Sequence, residues 1–345
     1  MVTVEKLGII LEPTSLDFER EAVLNPGVYQ EGEWVHLFYR AIDAEKKSSI
    51  GYAKLKGPRE VVERWNVPFM TRRHGHESQG VEDPRIVKID NLYYMTYVIH
   101  DGKNALTAYA VSSNLKKFEE KAVISPEITY DEAGKLFGEG KLKDRYFMFS
   151  AYYERFAAAD VMVWEKDIFF FPKKINGRYA LIHRVLPDIQ ILYFDDFKQI
   201  EDEDYWREYL KHLDQHVVLE NKYWFESRNI GGGAPPVETK DGWLLIFHAV
   251  EELNKARIYR ASAALLDKKD PLKVIGRLDY PLLFPEKDWE KNGFVNNVVF
   301  PTGTAIFGDD LYIYYGAADR VIGVARVNLD DLLKEVKKPH AHERF

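Results

Sequence analysis

QEGEWVHLFYRA, residues 30–41, opens with a polar turn around Gly32 and runs on through consecutive aromatic and aliphatic side chains. A turn feeding such a run is the signature of a hairpin entering a strand. The pattern returns as KIDNLYYMTYVI (88–99), KINGRYALIHRV (174–185), TKDGWLLIFHAV (239–250) and FGDDLYIYYGAA (307–318). Each copy is followed by a second short apolar run: SSIGYAKL from Ser48, LTAYAVSS from Leu106, IQILYFDD from Ile189, IYRASAALLD from Ile258 and VIGVARVNL from Val321. The turns at Gly32, Asn91, Gly177, Gly242 and Asp309 are 59, 86, 65 and 67 residues apart. That spacing fits a four-stranded sheet with its loops, repeated five times. The reading is an all-β chain, a single domain over residues 1–345, folded as a five-bladed β-propeller with a central channel and few short helices. A β-sandwich of similar hairpins is the alternative; it explains the alternation but not five copies at one period.

The long interval holds an insertion, about residues 120–165, where DRYFMFSAYY (144–153) reads as a further strand. Residues 195–216 are charged with apolar positions at helical spacing, and predict a helix. DDLLKEVKK, from Asp330, predicts a short closing helix. No Pro-, Gly- or Ser-rich linker divides the chain.

Composition narrows the chemistry. The formal net charge of −7 argues against a nucleic-acid partner. With no cysteine, thiolate metal sites and a cysteine nucleophile are excluded. Neither His183 nor His248 has a partner at metal-ligand spacing, so no metal is expected. The start MVTVEKLGII carries early charges and no long apolar run, and no stretch approaches membrane-spanning length. No signal peptide, no membrane partner and a cytoplasmic location are therefore expected. A homo-oligomer is left open.

In a propeller the inner strands converge, so polar residues at their starts become neighbours. GVEDPRIVKI (80–89) places Glu82 and Asp83 before a proline and a clean strand, where a poorly solvated carboxyl can protonate a leaving oxygen. Arg85 would steer it or bind a hydroxyl. The bland reading is an Asp-Pro turn. WFESRNIGGGAPPV (224–237) offers Glu226 as a base, Arg228 as an anion ligand and three glycines for close approach to a ligand; its bland reading is an inter-sheet turn. Lys166, Arg184, Arg228, His248 and Tyr259 would form an anion site if they converge, although singly each reads as a paired or solvated residue. Asn25, Arg40, Asp43 and Asp319 occupy the same class of position.

These motifs together resemble glycoside hydrolase family 130, the β-mannoside phosphorylases and β-1,2-mannosidases. The resemblance runs through LNPGVYQEGEWVHLFYRA from Leu24, GVEDPRIVKIDNLYYMTY from Gly80, FFFPKKINGRYALIHR from Phe169 and IGGGAPPVETKDGWLLIFH from Ile230. It continues through YRASAALLDKKDPLKVI from Tyr259, NNVVFPTGTAIF from Asn296 and LYIYYGAAD from Leu311. The insertion and the helical segment near residue 200 are its least typical parts. It implies a five-bladed propeller, Asp83 of the DPR motif as catalytic acid, Asn25, Arg40 and Asp319 as mannose ligands, and single-displacement inversion. It also implies small β-mannoside oligosaccharides as substrates and no cofactor, with inorganic phosphate as co-substrate in a phosphorylase. Of the phosphate positions, Arg184, His248 and Tyr259 are retained, Lys166 stands where arginine is usual, and Asn229 stands where lysine is usual; Arg228 is a candidate replacement. This incomplete set, with Glu226 available as a base, points to inverting hydrolysis of β-1,2-mannosidic bonds. Phosphorolysis to mannose 1-phosphate is the alternative, and a non-catalytic sugar-binding propeller the alternative of another class. An arabinan- or xylan-cleaving enzyme is less favoured, since its motifs are absent.

Overall fold

Strands that are apolar on both faces need cover on both sides, and the five hairpins read from the sequence cover one another. The computed structural model describes residues 1–72, 77–157 and 160–339. In chain order its strands begin with β1 (Val4–Leu11), then β2 (Ala22–Glu31), β3 (Trp34–Ile42), β4 (Ser48–Lys56) and β5 (Glu60–Arg64). A second meander follows as β6 (Gly80–Ile89), β7 (Leu92–His100), β8 (Ala105–Ser112) and β9 (Glu119–Val123). Helices α1 (Tyr130–Phe137) and α2 (Asp144–Ala157) precede β10 (Phe169–Phe170), β11 (Tyr179–His183) and β12 (Ile189–Phe194). Helices α3 (Phe197–Ile200) and α4 (Glu203–Lys211) lead to β13 (Val217–Leu219). The fourth set is β14 (Asn229–Gly232), β15 (Val237–Glu238), β16 (Trp243–Leu253), β17 (Ala256–Leu266) and β18 (Val274–Arg277). After α5 (Asp288–Lys291) come β19 (Val299–Phe307), β20 (Asp310–Ala317), β21 (Val321–Asn328) and α6 (Leu329–Val336).

The fold is mostly β, with few and short helices. The strands pair as five antiparallel units, β2–β5, β6–β9, β10–β13, β14–β18 and β19–β21 with β1. In the fourth, β14 and β15 pair along the same edge of β16, interrupted by the Gly233–Pro236 stretch. A single parallel bridge, Ser48 with Gly80, links the first two units into one sheet. Every repeated turn falls between the first and second strand of a unit, and every companion run supplies the third strand.

Side-chain alternation explains how the units stack. Leu37 packs toward the fifth unit beside Tyr314 and Val324, whereas Phe38 packs toward the second beside Met95. Leu245 and Phe247 face the third unit, and Leu244 and Ile246 face the fifth. The remaining cluster joins the second and third units, with Tyr94 and Tyr109 meeting Phe170 and Phe194. Each unit thus shares an apolar interface with the next, and the fifth shares one with the first. Each fully buried large side chain contributes about 1.5–3 kcal/mol.

Two expectations are corrected. The run DRYFMFSAYY is not a strand but most of α2. Its aromatic content favours strands, yet Tyr146 and Ser150 are buried one helical turn apart while Phe147, Met148 and Tyr152 face outward. Residues 195–216 form α3, α4 and a 3₁₀ turn at Leu213–His216 rather than one helix, with Asp196 and Asp202 capping the two starts.

The N-terminal strand β1 is the outer strand of the C-terminal unit, which ties together the two ends of the sheet order. Lys6 of β1 donates at 2.7 Å to Glu290, a fully buried carboxylate that also accepts from Tyr315 Oη and from the backbone N–H groups of Glu286 and Lys287. Removing one member of such a pair leaves an uncompensated buried charge. Glu290→Ala is expected to cost about 3 kcal/mol, measured as a lower urea midpoint; an unchanged midpoint would show that β1 is not anchored this way.

Candidate active site

Two strands, β2 and β6, carry the same local irregularity. In β2 the register shifts between Leu24 and Gly27, and in β6 between Glu82 and Arg85. Each shift contains an Asx-Pro pair, Asn25-Pro26 or Asp83-Pro84, with the Asx residue at φ 47°. Proline cannot donate to the ladder, and Asn and Asp tolerate left-handed backbone better than other non-glycine residues. The bulges re-aim the Asx side chains, and Asn25 Nδ2 donates to Asp83 Oδ1 at 2.9 Å. The strands can approach because residue 27 has no side chain: a Cβ there would lie 2.6 Å from the Pro84 carbonyl oxygen.

Asn25 and Asp83 line a cavity of about 240 Å³ at this convergence. Arg40, Lys166, Asp167, Arg184 and Asp319 also line it. Its charges are organised around buried carboxylates. Glu82 accepts from Arg40 Nη2 at 2.7 Å and from Lys166 Nζ at 3.3 Å. Burial alone would raise the Glu82 pKa, but Arg40 and Lys166 hold it down at about 2. Asp167 lies 2.8 Å from Arg184 Nη1 and 4.0 Å from Arg85 Nη2. Asp319, at φ 52°, is pushed up to about 6 by burial and by the neighbouring Asp83 and Glu82 carboxylates.

Beneath the lining, Arg85 is buried, and its Nε donates to the Gly233 carbonyl at 2.6 Å and its Nη1 to the Asp83 carbonyl at 2.8 Å. It therefore fixes the backbone of Asp83 rather than lining the cavity. His248 likewise lies behind the wall. It is fully buried, and burial together with Arg184 and Arg85 lowers its pKa to about 4, so it is neutral at pH 7. Its Nε2 lies 3.4 Å from Arg184 Nη1, a geometry in which neutral imidazole accepts from the guanidinium. As a neutral group it orients Arg184 instead of adding a cation.

Tyr259, Asn229 and Arg228 complete the expected residues that line the cavity. Arg228 is not free, since it pairs with Glu252 and lies over the Phe149 ring at 5.4 Å. Besides Arg85 and His248, two further expected residues are absent from the lining. Asp43 caps the turn after β3, where its Oδ1 accepts from the Glu45 and Lys47 N–H groups at 2.9 Å. Glu226 is fully buried, pairs with Arg277 at 2.5 Å and accepts from the Lys222 and Tyr223 N–H groups. Its carboxylate is satisfied inside the fourth unit and has no access to a water in the cavity. Conversely, Asp167, Tyr153, Trp164, Arg257 and Phe300 line the cavity without having been singled out from the sequence. Asp167 follows Lys166 directly, so its neighbour was the available signal; Tyr153 was hidden in the run misread as a strand. Among the described residues no group of His, Cys, Asp or Glu is arranged to hold a metal ion, and no helix is long and apolar enough to cross a membrane.

The architecture matches that of solved structures. A β-1,2-mannobiose phosphorylase from Listeria innocua, in complex with β-1,2-mannobiose, superposes with TM-score 0.72 at 22% identity, covering 97% of this chain and 99% of the other. At sequence level, the 1,2-beta-oligomannan phosphorylase of Thermoanaerobacter sp. (strain X514) is 35% identical over 345 residues, covering 96% of this chain and 99% of that protein. A beta-1,2-mannobiose phosphorylase of the same organism is 37% identical over 325 residues, covering 90% and 91%. The glycoside hydrolase family 130 profile, described as beta-1,4-mannooligosaccharide phosphorylase, matches residues 12–159 and 151–338. The chain belongs to glycoside hydrolase family 130, and it is an enzyme of that family of mannoside phosphorylases and glycoside hydrolases.

The raised pKa of Asp319 has a measurable consequence. Its carboxylate form, an acceptor facing the cavity, is lost by protonation below pH about 6. The kcat/KM for mannoside cleavage is expected to rise with pH through about 6, because that ratio reports ionisations of the free enzyme. In Asp319→Asn this limb should disappear; a limb that persists would assign it to another group.

Proposed function

We propose that the five units are the blades of a five-bladed propeller whose inner strands β2, β6, β10, β14 and β19 surround the active-site channel, and that the enzyme phosphorolyses β-1,2-mannosides with inversion. Closure is supported by the apolar interface between the fifth and first units and by β1 completing the last sheet. The observation that carries the chemistry is the convergence of Lys166, Arg184, Arg228 and Arg257 on the cavity that holds Asp83. A hydrolase needs a carboxylate free to activate water, and Glu226 is locked onto Arg277. Of the lining carboxylates, Asp167 is engaged by Arg184 and Asp319 is coupled to Asp83. The preference therefore moves from hydrolysis to phosphorolysis, in line with the activity named for the Thermoanaerobacter relatives.

In this reading Asn25, Arg40 and Asp319 hold the terminal mannosyl unit. A phosphate oxygen, held by Arg184 with Lys166 and Tyr259, attacks the anomeric carbon from the face opposite the leaving saccharide. The new C–O bond to phosphate forms as the glycosidic C–O bond breaks, and Asp83 delivers its proton to the departing oxygen. The products are α-mannose 1-phosphate and a saccharide one unit shorter. Asn25 and Arg40 both approach Asp83 at Oδ1, which leaves Oδ2 to carry the proton.

Incubating the enzyme with β-1,2-mannobiose, with and without inorganic phosphate, tests this directly. Mannose 1-phosphate plus mannose is expected only when phosphate is present; phosphate-independent release of two mannose molecules would establish hydrolysis instead. Asp83→Asn should lower kcat/KM by about 10²–10⁴ with little change in thermal stability. Retention of most activity would remove Asp83 from its role.

A further inference from the structure

The cations at the cavity differ in what already holds them. Arg40 and Lys166 share Glu82, Arg184 is paired with Asp167, and Arg228 with Glu252. Arg257, at the start of β17, lines the same cavity but forms no ion pair with an acidic side chain among the described residues. In the ladder it stands opposite Glu252, the carboxylate that Arg228 occupies.

We infer that Arg257 is a further anion-binding residue that, beside Arg184, Lys166 and Tyr259, meets the incoming phosphate, and the phosphate group of the sugar 1-phosphate in the reverse direction. It would take the part of the cation missing at Asn229. This rests on the phosphorolytic reading of the site. A guanidinium already paired with a carboxylate adds little net field to an anion beside it, whereas an unpaired one attracts a phosphate carrying nearly two charges and meets it with two parallel N–H donors. Arg228, the replacement suggested by the sequence, is committed to Glu252 and packed over Phe149. The backbone at Arg257 is also well placed. The β16–β17 ladder is continuous from Trp243 opposite Leu266 to Leu253 opposite Ala256. Its tip is a two-residue turn, Asn254 and Lys255, with both φ values positive, 51° and 66°. Such a turn matches strand twist and fixes the register, so the exposed side chain projects from a defined point at the cavity.

The test uses the full-length enzyme with Arg257→Gln and Arg257→Lys. Inorganic phosphate is titrated calorimetrically into each, and KM is measured separately for phosphate and for β-1,2-mannobiose. Arg257→Gln is expected to weaken phosphate binding and raise the phosphate KM about tenfold, leaving the mannobiose KM and the melting temperature without phosphate unchanged. Arg257→Lys should recover part of the loss. Unchanged phosphate affinity in Arg257→Gln, or an equal loss for mannobiose, would overturn the inference. The two readings fail separately. Phosphate-independent turnover by the unsubstituted enzyme ends the phosphorolytic reading, yet the titration still decides the anion site: Arg257-dependent phosphate binding retains it, and absence of phosphate binding in the unsubstituted enzyme removes it.

Discussion

The site depends on one buried guanidinium. Arg85 reaches from the second unit to the Gly233 carbonyl in the fourth, and its other donor holds the carbonyl of Asp83. A charge in such a place is tolerable only when it is hydrogen-bonded and near a counter-charge; the two carbonyls and Asp167 provide this. Because the arginine cannot be neutralised at any ordinary pH, the contact holds wherever the fold does. It ties the left-handed backbone of Asp83 to a different unit from the one that carries it. Together with Asn25 from the first unit, it positions Asp83 by contacts from both sides.

Around that anchor, charge is graded by depth. His248 and Arg85 form a dry layer in which the imidazole is neutral and serves only to orient Arg184. Above them, Glu82 and Asp167 each neutralise a pair of cations in part, so that the lining carries guanidinium and ammonium groups without an unscreened buried cluster. Glu82 also connects Arg40 and Lys166, the cations that the proposed function gives to the sugar and to the anion. Preorganised groups of this kind are more effective in a poorly solvated site than in water, and their preorganisation is supplied by the bulges at Asn25 and Asp83 and by the buried carboxylates that hold the cations.

How far this was legible in the chain differs by feature. The repeated hairpins were visible because alternation and turn chemistry are local. The DPR and NPG motifs were visible because an Asx-Pro pair at a strand start is a local irregularity with a chemical purpose. Helix α2 was misread because aromatic residues favour strands on average, and its true helical face is set by packing on α1 and the second and third units. Glu226 looked available because its charged partner is distant in sequence: Arg277 lies 51 residues on. Asp43 shared the position class of Arg40 but spends its carboxylate on its own turn.

By itself the sequence determined the mostly β class of fold and the repeat that builds it, and it singled out Asp83 as the candidate acid, since hydrophobic alternation, turn residues and the proline-bearing bulges act over a few residues. Only the tertiary structure decided which cations are already neutralised, that His248 is neutral and set back from the cavity, and that Arg257 stands without an acidic partner among the described residues. Those properties come from charges separated by dozens to hundreds of residues, whose energies depend on distance and burial that exist only once the units have packed.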